Sequence, residues 1–225
     1  AGGDLNIAAS SGALAVTATG TVDLRAGNDI RIASGATAGA SVLVSGAAVQ
    51  ADAGRDLRIE AVGDRAEVTS SSVAYRQTLA AGRDIVLQGG SAAGARATVA
   101  TNFTTAGTGY QDLTAGRHIA IQGGSGANAQ ASLDVGNAYY QQSIVAGGDV
   151  TLTGGAGQAS FARLSGAVTY QYLDIDGSVR LQGGAGQDSH ASWTLSPTQS
   201  GYQSGRIGGD LVGRGGNAVN PGSGA

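Results

Sequence analysis

Six aspartates stand at one recurring place in this chain. Asp4, Asp29, Asp56, Asp84, Asp149 and Asp210 each precede a short apolar-polar-apolar run, and His118 and Ser178 hold that place in two further copies. A column of carboxylates would suit a cation or acid–base chemistry, but like charges one strand spacing apart repel. A structural role is expected instead, each carboxylate accepting backbone N–H groups in the turn made by the glycine before it. Gly183-Gly184-Ala185-Gly186-Gln187-Asp188 has the core of a calcium-binding nonapeptide. It occurs once, its parallels lack the aspartate, and calcium rolls repeat every nine residues, so a corner turn is expected there. His118 and His190 have no second ligand nearby in sequence, and no metal or cofactor is expected. Glu60, Glu67, Asp112 and Asp134 would have to meet across the fold to act as a glycosidase-like pair, and their spacing selects no pair. No serine stands in a nucleophile elbow, so no catalytic residue is expected.

Two further sets have a regular place. Gln77, Gln111, Gln142, Gln171 and Gln203 lie seven residues before the recurring Asp, His or Ser, where the first two copies have Val22 and Val49. Their parity puts them on the inward face. A buried amide is costly alone, but amides stacked along an axis can bond oxygen to nitrogen, which predicts a glutamine ladder. Tyrosines cluster just before it: Tyr75, Tyr110, Tyr139, Tyr140, Tyr170, Tyr172 and Tyr202. Stacked rings would stiffen a corner. An aromatic strip of Tyr75, Tyr110, Tyr140, Tyr170 and Tyr202 is also a surface that grips sugars or partner chains.

The elements that must position these residues repeat. The recurring residue falls at 4, 29, 56, 84, 118, 149, 178 and 210, so the steps run from 25 to 34 residues, the mark of a stacked repeat fold. Each copy puts apolar residues at i and i+2, as in Leu5/Ile7, Ile30/Ile32, Ile85/Leu87 and Ile119/Ile121. That is strand period, and helical period is absent. After the double glycines a small residue and then a large one recur: Ala97/Val99, Ala131/Leu133, Ala162/Leu164 and Ala191/Trp193. Five residues before the recurring place stand Leu24, Ala51, Leu79, Leu113, Ile144 and Leu173, which make a third inward set. Three short strands with glycine corners predict a parallel β-helix, a solenoid of three strands per coil and about seven to eight coils, over residues 1–213. Residues 214–225 lack alternation and read as a C-terminal linker or cap.

Composition narrows the classes. Forty glycines in 225 residues is more than twice the usual share of about 7%, without the third-residue period of collagen. The net charge is −3 and there is no basic run, so no nucleic-acid partner is expected. No apolar run approaches a membrane span of about 20 residues, so no membrane insertion is expected. The chain opens inside a repeat, at Gly2-Gly3-Asp4, as a piece of something longer would.

The unit Ala-Gly-Arg-Asp-Ile-x-Leu at Ala81 to Leu87 has relatives at Ala53 to Ile59, Ala115 to Ile121 and Ala146 to Leu152. It resembles the haemagglutinin repeat of filamentous-haemagglutinin-type exoproteins, large secreted proteins of Gram-negative bacteria exported by two-partner secretion. The resemblance covers about residues 2 to 213. It implies a right-handed β-helical shaft, a secreted or cell-surface location, an outer-membrane secretion partner for the parent protein, and adhesion. The coils are longer than the commonest repeats of that family, residues 1–225 contain no stretch like its secretion domain, and no receptor-binding motif carries over. The expected function is a structural or adhesive shaft of a bacterial surface fibre. Its partners would be host or biofilm glycans and proteins, or further copies of itself in a homo-polymer. The alternative is a polysaccharide-degrading or polysaccharide-binding β-helix protein, and an enzyme is not the expectation.

Overall fold

The computed structural model describes residues 2–71, 76–102, 109–195 and 202–216, with residues 102, 137–140 and 195 described in their backbone alone. Strict alternation gives strands, and no helix occurs among the described residues. The first coil is β1 (Leu5–Ala9), β2 (Ala13–Thr17) and β3 (Thr21–Ala26). The second is β4 (Ile30–Ser34), β5 (Ser41–Gly46) and β6 (Ala48–Ala53). The third is β7 (Leu57–Glu60), β8 (Arg65–Ser70) and β9 (Arg76–Ala81). The fourth is β10 (Ile85–Gln88), β11 (Arg96–Asn102) and β12 (Tyr110–Ala115). Two coils of two strands follow: β13 (Ile119–Gln122) with β14 (Gln130–Ala146), then β15 (Val150–Thr153) with β16 (Ala162–Ile175). The last coil is β17 (Val179–Gln182), β18 (Ala191–Leu195) and β19 (Tyr202–Ile207), and β20 (Leu211–Arg214) opens another.

Each strand pairs in parallel with its counterparts in the neighbouring coils. On the first face the order is β1-β4-β7-β10-β13-β15-β17-β20. Its register stacks like on like, with Ile30 opposite Leu57, Leu57 opposite Ile85, Ile85 opposite Ile119 and Ile119 opposite Val150. These side chains are fully buried. Each buries enough apolar surface to stabilise the fold by roughly 1.5–3 kcal/mol. On the second face Ala97 and Val99 lie between Ala66/Val68 and Ala131/Leu133, so small stacks on small and large on large. On the third face Leu79, Leu113 and Ile144 do the same.

The corners differ from expectation. Eight stacked first-face strands bound seven turns, the lower end of the expected seven to eight. In the fifth and sixth turns the second and third strands fuse, so those coils have two strands rather than three. The cause is an alternation that hardly breaks at the corner. In β16 residues 162, 164, 166 and 168 face inward, then 171, 173 and 175, so one pair of consecutive outward residues, Thr169 and Tyr170, turns the chain inside a continuous strand. β20 also runs through Arg214, one residue past the expected end of the shaft, while residues 217–225 of the expected linker lie outside the described residues.

The unit Ala-Gly-Arg-Asp owes its glycine to crowding between coils. A Cβ on Gly82 would sit 2.3 Å from the carbonyl oxygen of Gly54, and one on Gly116 would sit 2.2 Å from that of Gly82. Only glycine lets these turns nest at strand spacing.

Candidate functional site

The third face brings the glutamines and tyrosines together, with the glutamines inside. Gln77, Gln111, Gln142 and Gln171 are buried. Gln111 Nε2 donates to Gln77 Oε1 at 2.7 Å, Gln142 Nε2 to Gln111 Oε1 at 2.7 Å, and Gln171 Nε2 to Gln142 Oε1 at 2.5 Å. Gln203 Nε2 donates to Gln171 Oε1, which also accepts from Trp193 Nε1 at 3.2 Å. At the other end Gln77 Nε2 donates to the carbonyl of Ala100 at 3.1 Å. Gln111, Gln142 and Gln171 thus each donate to the coil before and accept from the coil after, which offsets the cost of burying them.

Outward from this ladder the tyrosines share a row with other residues. Arg76, Tyr110, Gln141, Tyr170 and Tyr202 are register partners on five successive coils. They stand eight residues before the recurring position, a count that would have found them. One member of the expected strip, Tyr140, does not fall on the row, and another is not described. Tyr75 lies outside the described residues, and Arg76 holds the row in its coil. Tyr140 pairs with the buried Val168, one row over, and Gln141 takes the tyrosine place. The reason is the irregularity in β14, where four residues between Val135 and Tyr140 face one between Gly166 and Val168.

The row has one gap, and a cleft lies over it. Arg76 covers the ring of Tyr110 from the third coil, its guanidinium carbon 5.1 Å from the ring centroid. Tyr170 packs edge-on against Tyr202 at 4.7 Å between centroids. Between Tyr110 and Tyr170 the rung is Gln141 and Ser143, and Arg76, Asp112 and Tyr172 complete a cleft of about 270 Å³. Arg76 Nε stands 2.5 Å from Asp112 Oδ2, yet Oδ2 is enclosed and accepts no hydrogen bond, so the contact is an ion pair without aligned N–H geometry. Burial pushes the Asp112 carboxyl above its usual range, against the pull of Arg76.

The recurring aspartates face a different task from the one expected. Their carboxylates reach across coils rather than within their own turn. The N–H groups of Asp29, Asp56, Asp84 and His118 donate to the Oδ1 atoms of Asp4, Asp29, Asp56 and Asp84 at 3.1–3.4 Å. The chain of bonds continues through the substitutes. Asp149 N–H donates to His118 Nδ1 at 2.9 Å, Ser178 N–H to Asp149 Oδ1 at 2.8 Å, and Asp210 N–H to Ser178 Oγ at 3.1 Å. His118 must therefore carry its proton on Nε2 to accept at Nδ1. Arginines break up the repulsion between stacked carboxylates: Arg55 pairs with Asp29, Arg83 with Asp56, Arg117 with Asp84 and Arg180 with Asp149. Burial disfavours the Asp84 carboxylate, but the Arg117 guanidinium and the His118 N–H outweigh it and hold the carboxyl below its usual range. The Ser178 N–H, opposed by burial and helped by Arg180, lowers Asp149 likewise.

The other candidates are dispersed. Glu60 pairs with Arg31 on the first face, Glu67 with Arg65 and Asp134 with Arg163 on the second, and Asp112 with Arg76 on the third. Asp134 is bidentate to Arg163 at 2.9 and 3.0 Å and accepts from Ser165 Oγ at 2.6 Å. Asp188 has φ 56° in a corner turn whose counterparts on the two preceding coils hold Asn128 and Ala159, and His190 stacks on Phe161 at 5.3 Å. Among the described residues no three His, Asp or Glu side chains gather as a metal ion would need. The described residues form a parallel β-solenoid with an aromatic-walled cleft on the third face. No protein-family model matches the chain, and neither a curated protein nor a solved structure matches it.

Proposed function

We propose that this chain is a structural, adhesive shaft segment of a secreted bacterial surface fibre of the filamentous-haemagglutinin type. The observation that carries the reading is the stacking of like on like across eight successive first-face strands. Backbone bonds along one axis, a fully buried aliphatic pair in each inner coil and two side-chain ladders make a stiff spacer, and they leave the outward rows free to vary. The repeat unit Ala-Gly-Arg-Asp-Ile-x-Leu supports the family, since its glycine is required by coil nesting and its Arg and Asp by the ladder between coils. The same construction suits head-to-tail association with further coils, because the free edges of outer strands such as β1 and β20 present unpaired backbone groups.

The test is immunogold microscopy with antibodies to the chain on cells that produce its parent protein. Label along filaments or at the outer surface is the expected result. Label confined to the cell interior would sink the reading.

A further inference from the structure

From the third-face cleft we infer a second property, which does not depend on the fibre reading: it is a binding subsite for one hexopyranose ring of a neutral oligosaccharide. The argument begins with the gap in the aromatic row. Tyr110 and Tyr170 stand on coils two steps apart, with Gln141 between them. Coils rise by about 4.8 Å, so a ring seated at the Gln141 rung lies about 4.8 Å from a ring on either side, within the 4.5–7 Å at which ring systems pack. The far sides of both walls are already taken, Tyr110 by Arg76 and Tyr170 by Tyr202. Tyr170 and Tyr172 remain 39% and 49% exposed, so an apolar ring face is on offer where the neighbouring rung supplies none. The volume of about 270 Å³ takes a single sugar ring and not a long stretch of chain.

The polar lining selects the class. Gln141 offers both a donor and an acceptor, and Ser143 a hydroxyl. Asp112 is 21% exposed and its Oδ2 is enclosed, so any polar surface it offers the cleft is Oδ1, an acceptor for a sugar hydroxyl. The one cation, Arg76, already faces that carboxylate and the Tyr110 ring. The cleft's one basic and one acidic side chain balance, so no net positive charge favours an acidic sugar or a phosphate. Aromatic walls with a few directed polar groups are how a site binds a ring that has apolar faces and a hydroxylated rim.

The experiment is saturation-transfer NMR and titration of the whole chain with cellohexaose and maltohexaose, with oligogalacturonate as the acidic arm. Binding of at least one neutral probe and none of the acidic one is expected. Tyr110→Ala and Tyr170→Ala should each weaken it about tenfold, the loss of one stacked ring. Gln141→Tyr completes the aromatic row, so it should abolish binding while leaving the fold intact or more stable by thermal melt. Gln50→Ala, on the same face three coils before the Gln141 rung, should change nothing. No binding of either neutral probe at millimolar concentration, preference for the acidic probe, or undiminished binding by a folded Gln141→Tyr chain would overturn the proposal.

Discussion

In the first two coils the inward residue of the third-face corner is Val22 or Val49, and from the third coil onward it is a glutamine. On the adjoining row the early coils carry the exposed Thr21 and the buried Ala48, where the later ones carry Arg76, Tyr110, Gln141, Tyr170 and Tyr202. Both kinds of coil nest equally well, since the buried aliphatics above and below are alike. They differ in how strictly they define register. A valine packs acceptably against any apolar neighbour, whereas a buried glutamine needs its partner at one height on the next coil. The later region therefore holds its outward row at fixed spacing, which is what a cleft built from two separate rungs requires. The early region can drift slightly without losing anything on its surface.

The largest effect should come from breaking the ladder in its middle. Gln142→Ala leaves Gln111 Oε1 and Gln171 Nε2 buried without their partner, at a cost of about 3–5 kcal/mol. The matching truncation in the early region, Val49→Ala, removes only apolar contact and should cost about 2 kcal/mol. Denaturant titration of the two variants measures the gap, and equal losses would mean the ladder adds nothing beyond packing.

A smaller effect sharpens the contrast at another corner. Early coils turn through Gly12 and Gly39 at φ 67° and 77°, but Ala159 makes the equivalent turn at φ 51°. The Cβ there is strained, so Ala159→Gly should stabilise by about 0.5–1 kcal/mol, the strain relieved less the entropy glycine adds to the unfolded chain. A thermal melt that moves down would show that the turn tolerates alanine.

The smallest effect is in acid, and the two faces respond with opposite sign. Asp84 and Asp149 on the first face have carboxyls held below the usual range. Their contribution is complete above the unfolded pKa of about 4 and drains away as pH falls through their lower folded values. Asp112 on the third face is raised. Its ionised form opposes folding at neutral pH, and that opposition lifts as the pH drops through its folded value. Midpoints of unfolding between neutral pH and pH 2 should therefore fall less steeply in Asp149→Asn, and more steeply in Asp112→Asn, than in the unaltered chain.

Much of this molecule was written in the order of its residues. The period of 25 to 34 residues, the inward pair of Ile85 and Leu87 with its copies, and the parity of Gln77 to Gln203 required stacked parallel strands with amides inside. Those features follow from local alternation and a common axis, and spacing alone reveals both. Where each aspartate finds its N–H, which arginine separates it from the next, and why Gln141 rather than Tyr140 stands between Tyr110 and Tyr170 depended on contacts between coils. Two register shifts between β14 and β16, four residues facing one and then none facing one, decide which residue of β14 meets which on the next coil. The sequence contains the tyrosines, but only the folded stack creates the space between two of them.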